Sequence, residues 1–409
     1  MKKSSEIFLD EELSTQGELE NATKIEKPFK SDNVSAFISL FECMLFGFII
    51  QISTTLGNPL FINRAAVFMF TFPCLGNVVI TLCKLECVIT MVLVDFIYLV
   101  TTAAFYFAPV NMSSVICCFS LFGFATGALL NVVPIYMSQA ATGKIMVFLL
   151  TSIGGCGIVL GLIIGKNICV FMGDDYLLLL ITTLSALFGL YLFIFSRRVK
   201  IDGKVTMSNY KELFRNGWNS FILIVIAMSG VNLAGINYVV FNAPKIFENK
   251  GGSESVLYFN LCNFIAIAMT YLSVVFNIYV GRKIMFLSTA FLCFIINLLF
   301  MFTELKHHRW ISFAFIIAFN AGISSVPYIL GSEIFPLKTL QEGMMAGNVS
   351  YWIAGIFSMM TFGEDNTVGF MISEVYLLIG ISYFLLMYKE TRNQAEANYQ
   401  PNKVTVSFC

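Results

Sequence analysis

The sequence predicts an all-α integral membrane protein with twelve transmembrane helices in two six-helix halves, and three observations support this fold class. Of the 409 residues, 57% are hydrophobic and 12% are charged, with a mean hydropathy of +0.80, whereas soluble domains carry about 25% charged residues. The apolar residues fall in runs of the roughly 20 residues that a membrane helix needs to cross the hydrocarbon. One long polar segment, Ser196–Gly217, interrupts these runs near the middle of the chain.

Each predicted span is an apolar run bounded by polar connections. The polar segment divides the spans into two bundles, residues 34–195 and 218–388, joined by a cytoplasmic linker, residues 196–217. Two parallel repeats about an axis along the membrane normal produce such a division. Residues 1–33 contain eight acidic and five basic side chains and no apolar run, which predicts a disordered cytoplasmic tail; residues 389–409 form a second tail. The predicted spans are 36–56, 66–83, 88–108, 113–134, 147–166, 176–195, 218–246, 256–277, 283–303, 310–332, 343–362 and 369–388.

The basic residues predict that both termini are cytoplasmic. In this topology 19 of the 25 lysines and arginines lie on the side of the termini and 6 on the opposite side, and basic residues accumulate in cytoplasmic loops. We therefore expect a multi-pass protein of the plasma membrane, surrounded by membrane lipids. The net charge of zero gives no basis for nucleic-acid binding, and no sequence feature indicates an oligomeric state.

No catalytic or cofactor-binding pattern is present in the sequence. HExxH, GxSxG and the glycine-lysine loop of ATP-binding proteins are absent, so we expect neither an enzyme nor a cofactor or metal. The eleven cysteines lie mostly inside apolar runs without paired or metal-ligand spacing. The two histidines, His307 and His308, are adjacent in a predicted external loop. Without an ATP site, any movement of solute has to be driven by gradients.

Span seven carries the candidate substrate-binding residues. Asn232, Asn237 and Asn242 are amides inside an otherwise apolar span, and each amide offers donors and an acceptor that suit sugar hydroxyls. On a regular helix Asn232 and Asn237 would lie ~140° apart, at ~100° per residue. Both therefore reach one cavity only if the helix unwinds between them, and Gly230 and Gly235 favour such a break. The alternative interpretation is hydrogen bonding between helices.

The same span resembles the sugar porter family of the major facilitator superfamily. The family carries a QQxSGIN stretch here, with aromatic residues one turn later; this chain has VNLAGIN at Val231–Asn237, followed by Phe241. The resemblance implies that Asn237 corresponds to the family asparagine, that Asn232 is a shortened version of the second glutamine, and that Val231 replaces the first. It further implies the major facilitator fold and a hexose or related polyol as substrate.

Spans ten and eleven carry further family motifs. Tyr328–Pro336, YILGSEIFP, resembles the family's SE-[IL]-[FY]-P element, and Tyr328 stands where the family has a tryptophan thought to close the inner side of the sugar site. In span eleven Trp352 matches a family tryptophan, whereas Tyr351 replaces the asparagine before it. Asn348, about one helical turn from Trp352, is expected either to substitute for that asparagine in the pocket or to bond a neighbouring helix.

The resemblance also implies gating residues at the cytoplasmic helix ends, where ion pairs close the inner side of family members. The family's basic loop after span two is replaced by KLE in this chain. Because the N-terminal charges are missing, we predict a weaker inner gate. The gating candidates are Arg282 and Lys283 after span eight, Glu333 and Lys338 after span ten, and Gln139 after span four, where the family has a glutamate.

The predicted mechanism is facilitated diffusion with alternating access. Proton-coupled sugar porters have an aspartate in span one, and the corresponding stretch, Phe46–Ile49, has no acid. Asp95 is interpreted as the one carboxylate deep in a span; because an intramembrane acid is a candidate functional residue, it is the candidate for proton coupling beside a structural role. Two alternatives stay open. One is a divergent porter of another small polar solute or a proton-coupled symporter; the other, in a different class, is a non-transporting membrane nutrient sensor.

Overall fold

Twelve helical spans make up the described part of the protein. The computed structural model describes residues 33–55, 59–83, 85–107, 111–141, 143–195, 211, 213–215, 217–242, 246, 253–335, 339–362 and 366–389. The continuous spans are Asn33–Thr55 (one), Pro59–Cys83 (two), Cys87–Phe107 (three), Met112–Ala140 (four), Asp174–Phe195 (six), Ser253–Tyr279 (eight), Arg282–Phe302 (nine), Leu340–Thr361 (eleven) and Asn366–Met387 (twelve). The broken spans are five (Gly143–Ser152, a π-helix at Ile153–Val159, and Leu160–Phe171), seven (Trp218–Leu233 and Ile236–Phe241) and ten (Leu305–Ala321 and Val326–Ile334).

These helices correspond one to one with the twelve predicted apolar runs. Within the described residues nine helices are long and apolar enough to cross a membrane, and span five adds a tenth if its bent pair is taken together. Span two is apolar over a shorter helix, Phe68–Cys83, and span eleven contains Gln341, Glu342 and Asn348, which lower its hydropathy. The predicted tails and most of the linker 196–217 lie outside the described residues.

The contacts at the helix ends define two sides of the bundle. Arg282, at the start of span nine, forms an ion pair of 2.6 Å with Glu333 near the end of span ten. Lys283 donates to the Leu385 and Tyr388 carbonyls at the end of span twelve, at 3.0 and 2.7 Å. We call this the inner side, which the charge bias predicts to be cytoplasmic, and the opposite side the outer side.

Small residues bring spans one and five into close contact. Gly157, Gly161 and Gly165 recur every four residues along span five and face span one. A Cβ placed at Gly161 would lie 2.3 Å from the Met44 carbonyl, and one at Gly157 would lie 2.6 Å from the Cys43 side chain. Membrane helices associate through such stripes of small residues because the backbones can approach closely. Gly157 faces Cys43 and Gly165 faces Gln51, so the two spans run in the same direction.

Buried apolar residues form two clusters. The first contains residues of spans one to six together with parts of spans seven, ten and eleven that face them, such as Ile224, Met344 and Trp352. The second is built from the C-terminal six spans, apart from a peripheral contact of Val159. Large side chains such as Phe302 and Leu386, which are 80% and 82% exposed, lie on the outside of the bundle, where a membrane protein meets lipid tails.

Candidate functional site

Span seven is broken between Asn232 and Asn237, two of its predicted substrate-binding residues. The first helix ends at Leu233, Gly235 adopts a φ of +105°, and a second helix begins at Ile236. The predicted unwinding is therefore present in the structure. It turns the amides toward each other, so that Asn237 Nδ2 lies 3.3 Å from Asn232 Oδ1. Asn232 in turn donates to the Tyr351 carbonyl at 2.8 Å.

Asn297 of span nine supports this break, and the sequence analysis did not identify it. Its Nδ2 donates to the Ala234 carbonyl at 2.9 Å, a carbonyl at the end of the first span-seven helix, where backbone acceptors lack intrahelical partners. A Cβ placed at Gly235 would lie 2.8 Å from Asn297 Oδ1. Its position inside the apolar span nine could have identified it, because an amide without a hydrogen-bond partner there would cost several kcal/mol.

A central cavity lies between the two halves, beside the break. Its volume is about 170 Å³, which is large compared with the roughly 10–15 Å³ that one water needs. All of the polar side chains that line it come from the C-terminal half, whereas the N-terminal half contributes apolar ones. The polar lining residues are Asn232, Asn237, Asn263, Asn320, Ser324, Tyr328 and Tyr351, and the apolar ones of the N-terminal half are Phe46, Ile50, Met69, Phe70, Ile158, Val159 and Leu162.

Span ten is also broken where it passes the cavity. Four residues of turn, Gly322–Ser325, separate its two helices. Ser325 is held from span eight by a 2.7 Å hydrogen bond to Ser273, and Ser324 donates to Asn320 Oδ1 at 3.3 Å. Tyr328 follows in the second helix and lines the cavity as predicted for a pocket residue. Asn320 lines it as well and was missed, because the family comparison concentrated on the residues after the break.

Trp352 does not line the cavity but packs behind two residues that do. The side chain is fully buried and makes edge-on contacts with Phe46 and Phe70, with ring centroids 5.6 and 5.7 Å away. Since Phe46 and Phe70 do line the cavity, Trp352 supports its wall from behind. Asn242 is also outside the cavity and donates to the Tyr238 carbonyl in its own helix end. The side chain of Phe241 lies outside the described part of the structure.

Asn348 bonds the opposite half of the protein instead of pointing into the cavity. Its Nδ2 lies 3.3 Å from Asn131 Oδ1 and 3.4 Å from the Leu130 carbonyl, both in span four. Asn131 donates to Thr81 at 3.1 Å, and Asn77 donates to the Met345 carbonyl of span eleven at 3.3 Å. The alternative interpretation of Asn348, hydrogen bonding to a neighbouring helix, therefore fits the structure. We call Asn77, Thr81, Asn131 and Asn348 the inter-half amide network.

The predicted gating charges lie within the C-terminal half. Arg282 and Glu333 form a buried ion pair, and Arg282 Nη1 also donates to the Asn277 carbonyl at 2.6 Å. Lys283 caps the end of span twelve, where a cation is favoured by the helix dipole. Lys338 and the side chain of Gln139 lie outside the described residues, so their gating roles stay predictions.

Asp95 is not the only acid deep in a span, so that interpretation was wrong. Asp95 is 2% exposed and packs against Gly189 of span six. Glu42 in span one is fully buried and interacts electrostatically with Asp95, and neither carboxylate has a hydrogen-bond partner among the described residues. Glu374 of span twelve is buried near Asn297.

His308 lies in a buried helix turn, which corrects its placement in an external loop. Span ten begins at Leu305, about one turn earlier than predicted. His308 is 7% exposed, and its ring nitrogens face the Tyr238 hydroxyl and the Thr303 carbonyl. The polar run Lys306–Arg309 favours a loop by its composition, but the hydrogen bonds of the His308 ring with Tyr238 and Thr303 let the helix include this residue.

Twelve spans in two halves around a central cavity are typical of membrane carriers of the major facilitator superfamily. The chain belongs to the sugar (and other) transporter family, whose model matches residues 195–399. It is 22% identical over 221 residues to the facilitated trehalose transporter Tret1-2 homolog of Drosophila sechellia, covering 48% of this chain and 44% of that protein. It is 24% identical over 189 residues to solute carrier family 2, facilitated glucose transporter member 5, of Equus caballus, covering 42% of this chain and 38% of that protein. The matches thus span less than half the length of these relatives.

A solved structure shows the same fold over almost its full length. The major facilitator superfamily proton:xylose symporter XylE bound to 6-bromo-6-deoxy-D-glucose superposes with a TM-score of 0.71 at 15% identity, covering 89% of this chain and 98% of that chain. This similarity confirms the predicted fold class, the twelve-helix major facilitator fold. Both the family and the fold are those of transporters, not of enzymes.

Proposed function

We propose that the protein transports a hexose or related polyol by facilitated diffusion with alternating access. The observation that carries this proposal is the convergence of Asn232 and Asn237 at the break in span seven, beside a cavity between the two halves. Carriers bind solute at such broken helices near the bilayer midplane. Family membership and the sugar-transporting relatives support the substrate class.

The lining of the cavity suits a molecule with one polar and one less polar face. Amides of Asn232, Asn237, Asn263 and Asn320 supply donors and acceptors for hydroxyl groups. Tyr328 and Tyr351 add aromatic faces and hydroxyls beside them. The opposite wall is apolar and fits the C–H face of a sugar ring. A binding site of this kind orients its ligand by a few polar groups on a mostly apolar surface.

Alternating access would follow from rocking of the proposed bundles 34–195 and 218–388 about this site. In the structure the inter-half amide network joins spans two, four and eleven below the cavity, on the inner side. On the outer side, Asn167 of span five and Asn260 of span eight exchange hydrogen bonds of 3.2 and 3.1 Å. Both contacts are neutral, so the halves can separate at either without exposing an unpaired charge.

Uptake of radiolabelled glucose into proteoliposomes without any ion gradient tests the proposal. We expect saturable uptake by the wild type and a roughly 5- to 100-fold loss for Asn237→Ala, because the partners of a removed buried amide are left unsatisfied. Asn242→Ala is the matched control, since Asn242 is a buried amide of the same span that bonds only its own helix end. No uptake under any condition would overturn the hexose assignment, and glucose binding without flux would favour the nutrient sensor.

A proton-coupled symporter is the second candidate, and Glu42 favours it. The absence of an acid at Phe46–Ile49 supported uniport, but Glu42 lies one turn earlier, buried with Asp95 and without hydrogen-bond partners in the described residues. Buried carboxylates without partners favour the protonated form. If uptake requires an inward proton gradient and Glu42→Gln or Asp95→Asn abolishes that requirement, symport replaces uniport.

Two further parts of the proposal concern location. We propose that the protein resides in the plasma membrane with both termini in the cytoplasm, as the distribution of lysine and arginine predicts. Fluorescent and protease-cleavable tags at each terminus test this directly. Cleavage of either tag by external protease on intact cells would contradict the orientation.

A further inference from the structure

We infer that His308 is a positioning residue, which holds the outer helix of span seven in place through Tyr238. That helix, Ile236–Phe241, carries the cavity residue Asn237. The consequence for sugar binding rests on the proposed function, whereas the mechanical role of His308 does not.

The contact between the two side chains is short and buried. The Tyr238 hydroxyl lies 2.5 Å from His308 Nδ1, and His308 Nε2 lies 3.1 Å from the Thr303 carbonyl. A carbonyl can only accept, so Nε2 must carry a proton. In the neutral imidazole Nδ1 is then the acceptor, and the Tyr238 hydroxyl donates to it. Both ring nitrogens of a neutral His308 are thereby satisfied.

An aromatic box surrounds this hydrogen bond. The Tyr238 ring lies 5.1 Å from Phe300 of span nine, 4.8 Å from Phe370 of span twelve and 6.0 Å from Phe362 after span eleven, measured between centroids. The His308 ring lies 5.2 Å from Phe300. The box therefore joins span seven to spans nine, ten and twelve on the outer side, and the hydrogen bond fixes the orientation of Tyr238 within it.

The outer helix of span seven depends on external anchors because it is short. Six residues are well below the length at which an isolated helix is stable, and the break at Gly235 separates it from the longer inner helix. At one end Asn297 holds the break through the Ala234 carbonyl. Beyond the break Tyr238 is the anchor toward span ten, and Asn237 directly precedes it. If Tyr238 lost this anchor, the outer helix could rotate and turn Asn237 away from Asn232.

Protonation of His308 would disturb this anchor. A charged imidazole is a donor at both nitrogens, so the hydrogen bond would reverse: Nδ1 would donate to the Tyr238 oxygen, and the hydroxyl proton would have to turn toward the surrounding phenylalanine rings. The described titratable or charged groups around His308 are His307 and Arg309 beside it, Glu304 before the helix, Tyr238 itself, and Glu374 one turn beyond Phe370. Acidification that charges His308 should therefore loosen the outer helix of span seven.

A spin label at Val240→Cys reports on the outer helix without any substrate. Val240 lines the cavity from this helix, and the spectrum of the parent protein is subtracted to remove labelled native cysteines. We expect the mobile fraction to rise about fivefold in Tyr238→Phe and His308→Leu, the size of effect that one buried hydrogen bond supports. His308→Asn, which keeps an acceptor near the position of Nδ1, should resemble the wild type. Equal mobility in His308→Asn and His308→Leu would overturn the positioning role.

The pH dependence separates positioning from general packing. On acidification from neutral pH, the mobile fraction of the wild type should rise, that of His308→Asn should stay constant, and Glu374→Gln should still respond. A response that persists in His308→Asn, or is lost in Glu374→Gln, would assign the effect to another group and overturn the inference. In a transport assay Tyr238→Phe and His308→Leu should raise KM for external glucose with little change in Vmax, whereas His308→Asn should resemble the wild type. Absence of glucose transport would contradict the proposed function but would not affect the spin-label result.

Discussion

The two halves of the protein present different surfaces to the same cavity. The C-terminal half lines it with four asparagines, one serine and two tyrosines, and two of its spans are broken there. The N-terminal half lines it with apolar side chains, and its buried acids, Glu42 and Asp95, do not line it. A broken helix exposes backbone and side-chain dipoles to a cavity, so under the proposed function the C-terminal half would make most of the polar contacts with the solute.

The inner side shows a second difference between the halves. The C-terminal half has the buried ion pair Arg282–Glu333, whereas the N-terminal half meets it through the neutral side chains Asn77, Thr81 and Asn131. Charge stabilises the internal structure of one half, and amides make the contact between halves. The predictions below test these two differences, beginning with the largest effect.

Removal of Arg282 should have the largest effect. Arg282→Met removes the positive partner of the buried Glu333 carboxylate, and breaking a buried pair in this way costs about 3–5 kcal/mol. We expect a large fall in thermal stability in detergent. The double variant Arg282→Met/Glu333→Gln should recover most of this loss, because both charges of the pair are gone. A double variant as unstable as the single one would show that the pair is not the source of the effect.

A substitution that adds a side chain at Gly235 should have the second-largest effect. Gly235→Ala forces a non-glycine residue into a left-handed conformation, which costs about 1–2 kcal/mol, and its Cβ would meet Asn297 at 2.8 Å. We therefore expect loss of glucose uptake together with reduced stability. Gly173→Ala is the matched control: Gly173 has the same φ of +105° but no atom within 4 Å of the added Cβ. Equal losses of uptake in both variants would mean that the contact with Asn297 is irrelevant.

Weakening the inter-half amide network should have a moderate effect. Asn131→Ala removes hydrogen bonds to Thr81 and Asn348, each worth about 1 kcal/mol. We expect faster hydrogen exchange at the inner ends of spans two, four and eleven, since the inner side opens more often. Asn167→Ala, which breaks the outer contact with Asn260, should leave that inner exchange unchanged. The opposite pattern would place the closed interface on the outer side.

The sequence was sufficient for the fold and for the break in span seven. Twelve apolar runs and one polar divider predict the architecture because the hydrocarbon requires about 20 apolar residues per crossing. The geometry of Asn232 and Asn237 required an unwound segment, and glycine at 235 made it feasible. These features are local in sequence, so pattern and spacing reveal them.

Contacts between distant spans could not be predicted in the same way. Asn297 reaches Ala234 across 63 residues, and Asn348 reaches Asn131 across 217. A polar residue in a span indicates that it needs a partner but does not identify that partner. The sequence alone therefore allows both a pocket and an interhelical role for Asn348, and it favours a loop at His308 because the partner of this residue, Tyr238, lies 70 residues away.

The smallest effect is expected on the apolar wall. Leu162→Ala shortens a partly exposed side chain of the N-terminal half that lines the cavity. At about 0.8 kcal/mol per buried methylene, KM for glucose should change by less than about fivefold. Asn320→Ala, on the opposite polar wall, is the comparison in the same assay and should raise KM further, because its amide lines the cavity. If Leu162→Ala weakened glucose binding as much as Asn237→Ala, both halves would contribute to binding. This result would contradict the proposed difference between the halves.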